Sequence, residues 1–376
     1  MSKRIIHTPE GVRDIYGKEY TRQLQLQETI RNVIKQYGYD DIQTPTFEFF
    51  DVFSKEIGTT PSQELYKFFD KENNTLVLRP DFTPAIARCA SKYFMDETEP
   101  IRLCYLGNTY TNTNNLQGKL KEVTQMGVEL INDDSVEADA EMISLVVDAL
   151  KASGVPKFQI AIGEAEYFKG LCEEAGLDEE TEKQLRAFVS GKNYFAVEQL
   201  LQDCNVSEYY KEIFLRIADI FGNMGSLTEA RALVKNERSV YAIDRLEKLY
   251  QVLKLYQVEE YISFDLGMVS KYHYYTGVIF KAFTTGIGNA VVTGGRYDKL
   301  LGHFGKQAPA IGFAIVVDHL LEALMRQQVP IQLKKQKHVL QYNPNDEKDY
   351  VNKLQECIAL RTAGEYVELK AASSKS

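Results

Sequence analysis

Residues 123–131 read VTQMGVELI. Side chains alternate along an extended strand, so Gln125, Gly127 and Glu129 share one face and Met126, Val128 and Leu130 the other. A glycine between two polar side chains leaves a gap where a small ligand can approach the backbone. A carboxylate accepts N–H bonds, and a side-chain amide both donates and accepts. Glu129 therefore suits an N–H donor, and Gln125 an ammonium or other polar group. The same alternation also describes the solvated face of an antiparallel strand.

Other chemistry-bearing residues are less pointed. Thr293–Gly302 (TGGRYDKLLG) holds a glycine pair but lacks the GxxxxGK[ST] order of a phosphate loop, and on pattern it reads as a tight turn after a strand. His7, His273, His303, His319 and His338 form no HxxH or HExxH pair, so no metal site is expected. Cys89, Cys104, Cys172, Cys204 and Cys357 form no CxxC pair, which argues against a disulfide framework and for buried thiols in a reducing cytosol.

The elements that must position these residues follow from periodicity. Leu26, Ile30, Val33, Ile34 and Tyr37 space an amphipathic helix over 18–37, ended by Gly38. Strands are predicted at Tyr39–Thr44, Thr75–Arg79, Ile101–Leu106, Val123–Ile131 and Phe158–Gly163, with a helix through Ile143, Val146, Val147 and Leu150. Residues 165–256 turn charged and helix-periodic, and strands resume at Tyr261–Asp265, Val278–Phe283, Ala290–Thr293 and Ala310–Val317. Runs of strands with segregated helices predict an α+β antiparallel sheet flanked by helices. The expected organisation is a core of 1–164 and 257–326, a helical insertion at 165–256, and a short βαβ-like remnant at 327–376.

At 376 residues, 44% apolar and 26% charged, the chain can bury a sizeable core. Its net charge of −9 argues against a broad RNA-binding surface. The N-terminus lacks a signal peptide's apolar core, and no run of apolar residues is long enough to span a membrane; a cytoplasmic protein without membrane association is expected.

The segments LRPDFTPAIAR, VTQMGVELI, YHYYTGVIF, GGRYDKL and AIGFAI occur in the order found in histidyl-tRNA synthetases, and the chain resembles that class II family over about residues 7–325. The forms TPEGVRD and RPDFTP are more similar to a related family, the regulatory subunits of ATP phosphoribosyltransferase. The resemblance implies a class II synthetase-like fold. It places Asp81, Thr83, Gln125, Glu129 and Tyr275 at histidine-contacting positions, with Arg296 and Tyr297 bordering the pocket. It also implies losses. Thr111 and Thr113 stand where the enzyme's second motif has an arginine and a glutamate, Ser270 where an arginine meets the substrate carboxylate, and His319 where the third motif has its arginine.

Such a chain is expected to catalyse nothing itself and to need no cofactor. By resemblance it would form a homodimer within a hetero-oligomer, associate with a short-form ATP phosphoribosyltransferase catalytic subunit, and sense L-histidine for feedback. tRNA binding is not expected. The alternatives are a divergent histidyl-tRNA synthetase and a stand-alone synthetase-like binding module.

Overall fold

The computed structural model describes residues 6–53, 60–113, 120–269, 274–331 and 337–372. The chain divides into two compact units, one built from Met1–Ile15 and Leu26–Pro330, the other from Tyr16–Gln25 and Ile331–Ser376. Helix α1 (Gly17–Gln36) starts in the second unit and ends in the first, where Leu26, Ile30 and Ile34 form a buried stripe at every fourth position. Gly38 terminates it with φ +79°, a left-handed conformation that favours glycine.

In the first unit follow β1 (Asp40–Asp41), β2 (Phe47–Phe49), β3 (Lys67–Phe69), β4 (Thr75–Leu78), α2 (Thr83–Tyr93), β5 (Ile101–Tyr110), β6 (Glu122–Ile131), α3 (Val136–Ser153) and β7 (Phe158–Glu164). A helical stretch comes next: α4 (Ala165–Glu174), α5 (Glu179–Ser190), α6 (Tyr194–Asp203), α7 (Glu208–Arg216), the two-residue β8 (Phe221–Gly222), α8 (Met224–Ala232) and α9 (Glu237–Leu255). The unit closes with β9 (Ile262–Asp265), β10 (Val278–Thr284), β11 (Val292–Arg296), β12 (Ala310–Val316) and α10 (Val317–Arg326).

Among the described residues the main sheet has the order β1-β5-β6-β12-β11-β10-β7-β9-β8. Only the β1–β5 and β7–β9 pairs are parallel. The sheet's centre is therefore antiparallel, which sets Glu129 of β6 directly across from Gly312 of β12. A smaller antiparallel sheet, β2-β4-β3, precedes α2. In the second unit β13 (Lys337–Tyr342) and β14 (Tyr366–Ala371) pair in parallel, with α11 (Glu347–Thr362) between them in sequence.

Four details differ from the sequence reading. The strand expected at Tyr39–Thr44 is paired only at Asp40–Asp41, because the chain must leave the sheet to reach Pro45 and β2. The strand expected to stop at Leu106 runs on to Tyr110, paired with β6 throughout. Helix α2, unforeseen, starts at Thr83 with Pro84 in its first turn, where a missing N–H leaves no bond unmade. Finally, Gly294 and Gly295 are not a turn: they lie inside β11, because the rings of Phe280 and Tyr275 occupy the space a side chain would need.

Candidate functional site

A cavity of about 250 Å³ opens over the centre of the main sheet. That is at or below the usual ~300–1,000 Å³ of small-molecule sites and suits a compact ligand. Its floor is made by alternate residues of β6 (Val123, Gln125, Glu129), by Gly312 and Ala314 of the adjacent β12, and by Thr293 of β11 beyond it. Asp81 and Thr83 enter from the start of α2, Tyr275 and Tyr297 from the segments flanking β10 and β11, and Thr111 and Thr113 from beyond β5.

Glu129 is buried, 1% exposed, so the solvated-strand reading fails. Its Oε1 accepts the Thr83 hydroxyl at 2.8 Å and its Oε2 accepts the Tyr297 hydroxyl. Burial pushes its carboxyl up to about 8; the two hydroxyl donors pull it back, and neighbouring Asp81 adds to the rise. Thr83 is aimed at Glu129 because it opens α2, and Asp81 fixes that turn by accepting the Thr83 N–H at 3.1 Å. The carboxyl fits only because its cross-strand neighbour is Gly312, where a Cβ would overlap Oε2. Gln125 Oε1 is buried and has no hydrogen-bond partner among the described residues. An acceptor desolvated in this way is open to a ligand donor.

The gap expected above Gly127 is closed. Tyr105 lies opposite it on β5, and the phenol covers the glycine. Tyr105 in turn stacks on Phe82 at 4.3 Å, and the Arg79 guanidinium lies 4.0 Å from the Phe82 ring. Gly127 thus makes room for a core aromatic ring rather than for the ligand. No pattern in one strand could show this, since Tyr105 comes from the neighbouring strand.

The remaining sequence candidates separate. Asp81, Thr83, Gln125, Glu129, Tyr275, Tyr297, Thr111 and Thr113 all line this cavity. Arg296 does not, which corrects the expectation that it borders the pocket. It precedes Tyr297 at the end of β11, where successive side chains diverge, and it grips buried Asp139 through Nε at 2.8 Å and Nη2 at 2.7 Å. His319 is also absent from the lining; it lies in the first turn of α10, its Nδ1 3.2 Å from the Ala290 carbonyl. Ser270 and His273 lie outside the described residues. Sequence reasoning missed Thr109, Tyr274 and Gly312. A signal for Gly312 was present, since AIGFAI places a glycine inside an otherwise apolar strand. Among the described residues no group of His, Cys, Asp or Glu is arranged to hold a metal ion, and no helix is long and apolar enough to cross a membrane.

The histidyl-tRNA synthetase family model matches residues 11–320. The ATP phosphoribosyltransferase regulatory subunit of Acetivibrio thermocellus is 39% identical over 98% of this chain and 88% of its own length. That of Thermoanaerobacter pseudethanolicus is 39% identical over 97% and 94%. The chain belongs to the ATP phosphoribosyltransferase regulatory subunits, within the histidyl-tRNA synthetase family. A Bacillus halodurans structure described as an ATP phosphoribosyltransferase regulatory subunit/histidyl-tRNA synthetase superposes with a TM-score of 0.86 at 33% identity, covering 99% of this chain and 94% of that one. The histidyl-tRNA synthetase of a Nostoc species shares the fold, with a TM-score of 0.80 at 20% identity over 99% of this chain and 86% of that one. The fold is that of a class II synthetase, and the cavity lies on the central strands of its sheet.

Proposed function

We propose that this chain is the regulatory subunit of ATP phosphoribosyltransferase, the first enzyme of L-histidine biosynthesis, and performs no catalysis itself. It activates a short-form catalytic subunit and carries the histidine sensor in the cavity over β6. One observation carries the reading: the polar floor Asp81, Thr83, Gln125 and Glu129 is complete, whereas the neighbouring positions Thr111 and Thr113 are neutral. Histidine would place its ammonium near Gln125 Oε1 and Asp81 and its imidazole toward Glu129 and Tyr275.

The nucleotide end is what the chain has given up. Each charge-assisted hydrogen bond is worth on the order of 1.5–3 kcal/mol. Losing two phosphate contacts, at Thr111 and His319, weakens ATP binding by as much as ~10²–10⁴-fold. Developing phosphate charge also loses its preorganised cations. Residues 1–164 with 257–326 form the synthetase-like core of this proposal, 165–256 its helical insertion and 327–376 a shortened terminal module. The chain pairs with itself through the small sheet β2-β4-β3, within a larger complex containing the catalytic subunit.

The test mixes the purified chain with a short-form catalytic subunit and follows condensation of ATP with phosphoribosyl pyrophosphate. The rate is expected to rise on mixing and to fall when L-histidine is added. No stimulation, or stimulation indifferent to histidine, overturns the reading. Histidine-dependent exchange of pyrophosphate into ATP by the chain alone would favour a synthetase instead.

A further inference from the structure

A second cavity, of about 240 Å³, shares no lining residue with the first. It is bounded by Glu164 at the end of β7, Asp134 before α3, Tyr241 and Arg245 of α9, and Arg296 and Asp298 at the end of β11. Both guanidiniums are already paired with carboxylates. Arg245 binds Asp139 Oδ2 through Nε at 2.9 Å and Nη2 at 2.6 Å, while Arg296 takes Oδ1 of the same carboxylate and reaches Asp298 at 3.1 Å. Glu166 is committed to Lys169 and Arg238.

Glu164 is different. It is 4% exposed, and its Oε1 caps α4 by accepting the Glu166 N–H at 3.3 Å. Its Oε2 is buried without a hydrogen-bond partner among the described residues. A carboxyl oxygen desolvated at a cavity wall, beside guanidiniums already paired with another carboxylate, lacks a donor, and a positively charged donor answers that lack best. We propose that this cavity is a second small-molecule site that takes a ligand through a primary ammonium group, anchored on Glu164 Oε2.

Protonation gives the site a signature. Burial raises the Glu164 carboxyl to about 8; the Glu166 N–H and Arg245 oppose the rise, and Asp139 and Glu166 add to it. The charged and titratable groups around it are Asp134 before α3, Asp139 on α3, Glu166 on α4, Tyr241 and Arg245 on α9, and Arg296 and Asp298 at β11. At pH 7 a group titrating near 8 is roughly nine-tenths protonated, so an arriving ammonium ion expels close to one proton.

The experiment titrates the full chain with ethylammonium and, separately, with glycine, in two buffers of different ionisation enthalpy. Tetramethylammonium, which has no N–H, is the control. Saturable binding of either probe with release of about one proton is expected. Response to ethylammonium alone marks a simple amine site, and response to glycine marks an amino-acid site. The Ala242 methyl resonance, in this cavity, should shift whether or not that of Ala314, in the first cavity, also moves. Glu164→Gln, close in shape to the neutral acid, should weaken binding at least ~10-fold and abolish proton release. No saturable binding of either probe, binding without proton release by the unaltered chain, or shifts confined to Ala314 would overturn the proposal. None of these outcomes depends on whether histidine occupies the first cavity.

Discussion

Among the described residues Glu129 is held by two hydroxyls and no cation, with Thr83 on one oxygen and Tyr297 on the other. Its carboxyl titrates near 8 in the fold, against about 4.3 in the unfolded chain. The raised value means the folded state keeps a proton that the unfolded state has lost. Stability is therefore unaffected by this group below about pH 4.3 and falls as pH climbs from there to about 8. Glu164 acts in the same direction. Glu129→Gln retains an acceptor for Tyr297 and a donor toward Thr83, and it has no charge to desolvate. Urea midpoints of the ligand-free chain at about pH 5 and about pH 9 should show the variant gaining on the wild type at the alkaline end, by on the order of a few kcal/mol. Equal offsets at both pH values would show that Glu129 ionises freely.

Among elements, β2 is inside out. Glu48 points inward and pairs with Arg88 at 2.6 Å, while Phe47 and Phe49 on either side are more than half exposed, as is Phe69 on β3. In the proposed self-pairing, these outward apolar residues are the surface that a second copy covers. Phe47→Glu with Phe49→Glu should convert a dimer to monomers in sedimentation or light scattering, with far-UV circular dichroism retained. A dimer that survives the double change would place self-association elsewhere. In sequence this strand was hidden by the following Phe50 and by the prolines and loops around it. The central strands were legible because their apolar runs are long. The glycine pair misled because glycine commonly marks turns, whereas here it clears space for Phe280 and Tyr275 from other segments. The first cavity was half legible, since β6 carries its polar residues in one alternating run. The second was not legible at all, because its walls come from residues 134, 164–166, 241–245, 276–277 and 296–298.

For the whole molecule, sensing and activation are linked only if histidine changes the free energy of something the catalytic subunit also changes. The cavity over β6 is built from four separate sources: a strand at the sheet's centre, the first turn of α2, and the Tyr275 and Tyr297 segments. A ligand bridging Gln125 and Glu129 to Tyr275 holds those sources in one arrangement. Whatever arrangement the catalytic subunit selects is thereby favoured or opposed. Linkage is reciprocal, so any factor by which histidine alters affinity for the partner is the factor by which the partner alters affinity for histidine. Couplings of this kind usually amount to roughly 1–3 kcal/mol, or about 5–150-fold. Calorimetric titration of histidine into the chain alone and into the preassembled complex should give dissociation constants that differ within that range. The affinity of the two proteins for each other, measured with and without histidine, should change by the same factor. If feedback operates while both constants stay fixed, histidine acts on turnover and not on assembly, and the coupling must run through the catalytic subunit's own rate-limiting step.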